Sequence, residues 1–206
     1  MQAFTLHTGI AAPMLRMNID TDIIIPSREM KSVSKKGLSE GLFANWRYLE
    51  VEQRTVNPDF ILNKPEYANA SILLGGRNFG CGSSREHAVW ALAEFGIRAI
   101  ISPGFGSIFH QNCIRNGIAA IVLDAEQIKS ISELVDSDPQ SNKICIDLLK
   151  QVVRDSENRE FNFEIDSGHK DMLVNGLDAI DVTLQQEASI AAFETRDKKN
   201  RYWLWS

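Results

Sequence analysis

The chain has 206 residues, 44% of them hydrophobic and 24% charged, with a formal net charge of −5. A chain of this size buries a full core, as one domain or as one with a small appendage, and its acidic balance argues against a general nucleic-acid binder, which presents a basic face. No apolar stretch approaches the roughly 20 residues that span a bilayer, and Met1-Gln2-Ala3-Phe4-Thr5-Leu6-His7 lacks the basic and apolar regions of a signal peptide, so a cytoplasmic enzyme or enzyme subunit with no membrane partner is expected.

In chain order, Phe4 to Gly9 alternates weakly, as a first strand does. Leu15 to Ile25 places a polar centre between apolar flanks, and Pro26 ends whatever Ile23 to Ile25 form. Ser27 to Asn63 shows little periodicity. A stretch that long is usually a functional segment or a mobile one. This one holds the polar Lys31-Ser32-Val33-Ser34-Lys35-Lys36 and the aromatic-basic Phe43-Ala44-Asn45-Trp46-Arg47-Tyr48, too many aromatics for a linker.

A regular pattern follows. Ser71 to Gly75 reads as a buried strand, Glu86 to Phe95 as a helix stopped by Gly96, and Arg98 to Ser102 as a second strand. Ser107 to Asn116 is a helix stopped by Gly117, and Ile118 to Leu123 a third strand. Alternation with short connections predicts a parallel α/β core with right-handed crossovers. Ala125 to Val135 is a further helix. Ile144 to Leu148, Gln151 to Arg154 and Glu160 to Ile165 read as antiparallel strands, and helices follow around Lys170 to Val174 and Asp181 to Thr195. The whole predicts one mixed α/β domain with an added β layer.

Cys81, Cys113 and Cys145 are odd in number and widely spaced, which argues against a disulfide framework. With no C-x-x-C pair, no metal or iron–sulfur site is expected from this chain alone. Cys145 reads as strand and core. Cys81 is either a small residue in a tight turn or a helix-start thiol of lowered pKa.

The richest stretch is Gly80-Cys81-Gly82-Ser83-Ser84-Arg85-Glu86-His87-Ala88. A glycine-rich turn from strand to helix leaves N–H groups unpaired at a helix N-terminus, ready for an anion. Ser83-x-x-Glu86 fits a capping box. A hydroxyl there also sits in a field that stabilises an alkoxide, and Arg85 beside it can clamp a carboxylate bidentately. The stretch is no Gly-x-Ser-x-Gly elbow, and His87 reads as a helix histidine bonding locally. Upstream, Asp20 and Asp22 are either a carboxylate pair for acid–base or metal work or caps for a helical turn. Arg16 is either a surface arginine or a second carboxylate clamp.

The string Gly82-Ser83-Ser84-Arg85-Glu86-His87-Ala88, with Arg16-Met17-Asn18-Ile19-Asp20-Thr21-Asp22-Ile23-Ile24-Ile25-Pro26 before it, resembles the swivelling domain of the aconitase superfamily, and within it the family of 3-isopropylmalate dehydratase small subunits. Leu42-Phe43-x-x-Trp46-Arg47-Tyr48, Asn57-Pro58-Asp59-Phe60, Asn78-Phe79-Gly80-Cys81, Asn175-Gly176-Leu177-Asp178 and Thr183-Leu184 match as well, so the resemblance runs from Met1 to about Thr195. Phe109 to Arg115 matches the family helix only loosely.

The resemblance implies a swivelling β/β/α domain with a mixed, partly parallel sheet over residues 1–206, a substrate loop at about 27–63 and an aromatic tail at 196–206. The tail has no family role and docks on this chain or on a partner. The implied enzyme is a hydro-lyase that is active only with a large subunit, which carries a 4Fe–4S cluster. It interconverts 2-isopropylmalate and 3-isopropylmalate through 2-isopropylmaleate in leucine biosynthesis. By the same resemblance Ser83 is the catalytic base, Ser84 and Arg85 contact a substrate carboxylate, and Arg16 binds a carboxylate from upstream. Trp46, Tyr48 or Leu49 offers apolar contact to an isopropyl group or packs at the subunit interface, and Arg47 is available to a further carboxylate. A related dehydratase for homoaconitate or methylmalate-type acids is the nearest rival. A stand-alone anion-binding module would have no use for both Arg16 and Arg85, an RNA-binding role conflicts with the acidity, and a serine hydrolase lacks its elbow.

Overall fold

A computed structural model describes residues 1–30 and 34–205; Lys31-Ser32-Val33 of the expected loop and Ser206 of the tail lie outside the described residues. In chain order the elements are β1 (Leu6–Met14), α1 (Thr21–Ile24), α2 (Ala44–Arg47), β2 (Tyr48–Glu50), β3 (Thr55–Val56), β4 (Ala70–Gly75), α3 (His87–Phe95), β5 (Ala99–Ser102), α4 (Ser107–Arg115), β6 (Ala119–Val122) and α5 (Ala125–Ser137). Then come β7 (Ile144–Asp147), β8 (Val152–Arg154), β9 (Glu160–Asn162), α6 (Ser167–Asn175), α7 (Ala179–Leu184) and α8 (Glu187–Asn200).

One seven-stranded sheet carries the fold, in the order β6-β5-β4-β1-β7-β8-β9. The strand β1 is its hinge of direction: it runs parallel to β4 on one side and antiparallel to β7 on the other. The expected parallel core is β1, β4, β5 and β6, and the expected antiparallel strands continue the same sheet rather than forming a layer of their own. Ile72, Leu73, Leu74, Ile100 and Ile101 are all fully buried, as in a parallel sheet covered on both faces. The same double burial explains why β1 reaches Met14 instead of stopping at Gly9: Ile10, Ala11 and Ala12 are all buried, so no alternation marks that half of the strand.

Helix α3 stops at Gly96, which takes φ +107 and returns its N–H to the Leu92 and Ala93 carbonyls. The single helix expected from Asp181 to Thr195 is two. Helix α7 is capped by Asp178, whose carboxylate accepts from the Ile180 and Asp181 N–H groups, and α8 begins afresh at Glu187.

The irregular segment after Pro26 is short on regular structure but well packed. Leu38, Leu42, Phe43, Phe60 and Leu62 all enter the core. Its hairpin β2–β3 is tied back by the Arg54–Glu29 ion pair at 2.5 Å, with the Glu29 side chain only 7% exposed. The Asn57 and Asn63 amides donate to the carbonyls of Trp46 and Arg47. Aromatic content therefore signalled a packed segment, not a linker.

Candidate active site

Strands β1 and β4 are parallel neighbours ending side by side, with Met14 paired to Gly75, so the loops that follow them leave the sheet together. Both motif strings lie on those loops, at the carboxyl ends of parallel strands where α/β folds place their crevices. The loops are stitched to each other. Gly80 N–H donates to the Ile19 carbonyl at 2.7 Å, Thr21 N–H to the Cys81 carbonyl at 3.0 Å, and Asn18 N–H to the Arg77 carbonyl at 2.9 Å.

The turn tolerates no side chain at Gly80, which takes φ +71 and where a Cβ would fall 2.1 Å from the Phe109 ring. Phe109, on α4, also contacts the Phe79 ring at 5.7 Å. The helix that resembled the family only loosely is thus the backing of the serine turn, a role that only tertiary contact reveals. Gly80→Ala is expected to destabilise the chain by roughly 2–5 kcal/mol, from left-handed backbone strain and overpacking, read as a lowered urea midpoint at unchanged slope.

Ser83 is exposed, with its Oγ 3.2 Å from the Oγ1 of the buried Thr21. Thr21 Oγ1 also reaches the Ser83 carbonyl at 3.2 Å. The expected capping box does not form. Helix α3 begins at His87 with Glu86 as its N-cap, so Ser83 lies outside the helix, and the Glu86 carboxylate accepts from Asn116 Nδ2 at 2.8 Å instead. The helix amides are also less available than expected, because Ala88 and Val89 N–H turn back to the Arg85 and Glu86 carbonyls. Among the described residues the N–H groups of Ser83, Ser84 and Arg85 donate to no group of the chain, so the free donors sit in the turn itself.

Arg85 forms an ion pair with Asp22, whose carboxylate also accepts from Ser27 Oγ at 3.3 Å. Asp20 has a different duty: it caps α1, accepting from the Ile23 N–H at 2.7 Å. Of the two readings for these carboxylates, capping holds for Asp20, while Asp22 is the counter-ion of Arg85. No group of three or more His, Cys, Asp or Glu is arranged to hold a metal ion among the described residues.

Arg16 lies with its guanidinium 4.8 Å over the Trp46 ring, and both line an open cleft of about 600 Å³ with Asn45, Asn57, Phe60 and Ile61. Trp46 is held flat against Phe43, with ring centroids 5.9 Å apart and planes 4° from parallel. Ser83, Ser84 and Arg85 are not in that lining; the segment from Arg16 to Asp22 joins the cleft to the serine turn.

Arg47 and Tyr48 are engaged by the segment after Pro26 and, for Arg47, by α3 as well. Arg47 Nη1 donates to the Ser39 carbonyl at 2.8 Å, and its guanidinium lies 5.0 Å over Phe95. Tyr48 OH donates to the Glu40 carbonyl at 3.2 Å. The Leu49 side chain is exposed.

Burial, and then the nearby charge of Asp20, push the Cys81 thiol up from its ordinary value. The reading of Cys81 as a helix-start thiol of lowered pKa is thereby corrected, because burial and a carboxylate act on it and α3 does not begin until His87. His87 contacts the Trp90 ring at 4.8 Å and makes no local hydrogen bond among the described residues. In the tail, Trp205 Nε1 donates to Asp197 at 3.0 Å and Lys198 lies 4.7 Å over its ring, so the tail folds back on α8 while Tyr202, Trp203 and Leu204 stay exposed.

The chain as a whole is similar to known proteins in sequence and in fold. The model of the aconitase C-terminal domain matches residues 1–126. The chain is 52% identical over 204 residues to the 3-isopropylmalate dehydratase small subunit of Cupriavidus necator, covering 99% of this chain and 98% of that one. It is 48% identical over 205 residues to the small subunit of the same name from Afipia carboxidovorans, covering 99% of this chain and all of that one. A crystal structure of 3-isopropylmalate dehydratase from Methanocaldococcus jannaschii superposes with a TM-score of 0.67 at 25% identity, over 92% of this chain and 99% of that chain.

Proposed function

The chain belongs to the aconitase C-terminal domain family as a small subunit of 3-isopropylmalate dehydratase, a hydro-lyase, and from that premise we propose how its residues act. The reaction is the interconversion of 2-isopropylmalate and 3-isopropylmalate through 2-isopropylmaleate, in leucine biosynthesis. A proton leaves the carbon next to a carboxylate, and the hydroxyl on the neighbouring carbon departs, a leaving group for which the large subunit's cluster would supply a Lewis acid. Hydration in the opposite sense completes the exchange.

Ser83 takes that proton as an alkoxide. Its hydroxyl is far too weak a base at its ordinary pKa, so the turn must supply positive charge and donors. The free N–H groups of Ser83, Ser84 and Arg85 and the Arg85 guanidinium are those donors. Thr21 adds one more. Its single hydroxyl proton serves the Ser83 carbonyl while Ser83 is neutral, and turns to Ser83 Oγ when the alkoxide forms. Arg85 and Ser84 hold the carboxylate beside the reacting carbon, and Arg16 holds the other, with the alkyl group against Trp46. The observation that carries the reading is the pairing of Ser83 with a buried Thr21 beside Arg85, in a turn with no other structural duty for the serine hydroxyl.

The cluster belongs on the large subunit in this reading. Cys81 lies in the turn, Cys113 on α4 and Cys145 on β7, and full burial holds the Cys113 thiol well above its ordinary value. These thiols do not converge and do not fit a cluster, so the residues described act only on the proton and the carboxylates. No helix among the described residues is long and apolar enough to cross a membrane, and we place the enzyme in the cytoplasm.

The test is turnover of 3-isopropylmalate by this chain with and without an anaerobically purified large subunit, followed by the absorbance of 2-isopropylmaleate. Activity is expected only from the pair. Turnover of another hydroxy diacid in its place would keep the mechanism and move the substrate. Thr21→Val should lower kcat about 10- to 50-fold, the loss of one hydrogen bond to a charged group, while Thr21→Ser stays within about threefold. Equal rates for the two variants would remove Thr21 from the reaction.

A further inference from the structure

One carboxylate ties the segment after residue 33 to the helix that bears the serine turn. Glu94, in the last turn of α3, accepts from three consecutive N–H groups: Gly37 at 2.7 Å, Leu38 at 2.6 Å and Ser39 at 2.8 Å. Gly37, at φ +84, turns the backbone so that these donors converge into a nest for an anion. A carboxylate at a helix C-terminus is opposed by the helix dipole, so its place is explained by what it grips. Burial pushes its pKa up, but the N–H bonds from Gly37, Ser39 and Leu38 prevail and hold it below the ordinary glutamate value.

The grip continues toward the cleft. The Ser39 carbonyl accepts from Arg47 Nη1, and the Arg47 guanidinium lies on Phe95, the residue after Glu94. Next to Arg47 is Trp46, which is stacked on Phe43 and carries Arg16 on its ring. An unbroken line of contacts therefore runs from α3 through Ser39 and Arg47 to the Trp46–Arg16 wall.

We infer that Glu94 is a positioning residue of the dehydratase: by holding the Gly37–Ser39 amides it sets the Trp46–Arg16 wall against the serine turn, and so sets how tightly the alkyl end of the substrate is held. This rests on the reading of the site given under Proposed function. Glu94 touches no reacting atom, so its effect falls on substrate binding and not on proton transfer.

The test uses the complete two-subunit enzyme with Glu94→Gln, Trp46→Ala and the pair of substitutions. Glutamine keeps the length but offers one acceptor oxygen, and its NH₂ faces a backbone donor. KM for 3-isopropylmalate is expected to rise about tenfold in Glu94→Gln with kcat within about twofold. In the Trp46→Ala background the same change should add nothing further to KM. Hydrogen exchange of the Gly37–Ser39 amides should quicken in Glu94→Gln, in the enzyme and in the chain alone. Unmoved KM, a fall in kcat alone, or additive KM effects in the double variant would each overturn the inference while leaving the site reading intact. Failure of the wild-type pair to turn over isopropylmalate takes down the site reading, and this inference with it.

Discussion

Replacing Ser83 by alanine is expected to lower kcat of the two-subunit enzyme about 10³- to 10⁴-fold, the upper part of what a positioned general base contributes. KM should stay within about threefold, because the carboxylate holders remain. The fold should not notice. Ser83 is exposed, caps nothing, and gives up only its contact with Thr21, so a stability change within about 0.5 kcal/mol is expected. Stopped assays on the co-purified complex, with thermal melts of the free chain, check both halves. A residual rate within tenfold of wild type would falsify the assignment of Ser83 as base and leave the turn as a carboxylate cradle.

Arg85→Ala is the second large effect expected, a fall in kcat/KM of roughly 30- to 1000-fold, as when one partner of a close charged pair is cut away. Two losses combine. The substrate carboxylate loses a guanidinium, and Asp22 loses its counter-ion next to an incoming anion. Arg85→Lys keeps the charge without the planar fork and should fall between Arg85→Ala and wild type. Asp22→Asn removes the competitor for Arg85 and should lower KM or leave it unchanged. Steady-state kinetics on all three, with sizing of the complex, separate the outcomes. A KM rise in Asp22→Asn as large as that in Arg85→Ala would mean that the ion pair shapes the loop and that Arg85 does not hold substrate.

The periodic stretch from Ser71 to Leu123 was legible because each helix and strand there carries its own local signal. The glycine stops, the buried strand runs and the spacing of apolar residues all agree with where α3, β5, α4 and β6 fall. The glycine-rich motif string was equally legible as a turn from strand to helix, and it lies between β4 and α3. Cap assignments were not, since a Ser-x-x-Glu spacing is satisfied by many backbones, and here the chain bends at Gly82 and Ser83 and the helix does not begin until His87. Nor could spacing separate Asp20 from Asp22: two residues apart in sequence, one turns inward to the Ile23 amide and the other outward to Arg85.

By itself, then, the sequence determined the elements of the parallel core, the place of the glycine-rich serine turn between a strand and a helix, and the membership of the chain in its family. Those depend on local periodicity and on rare strings read in order. Tertiary structure alone decided that β1 joins the two halves into one sheet, that Thr21 meets Ser83 across 62 positions, and that Phe109 backs Gly80. It also decided that Glu94 grips Gly37 to Ser39 across the fold. Contacts of that kind arise from which strands lie side by side, and strand order is set by packing of the whole core rather than by any window of the chain.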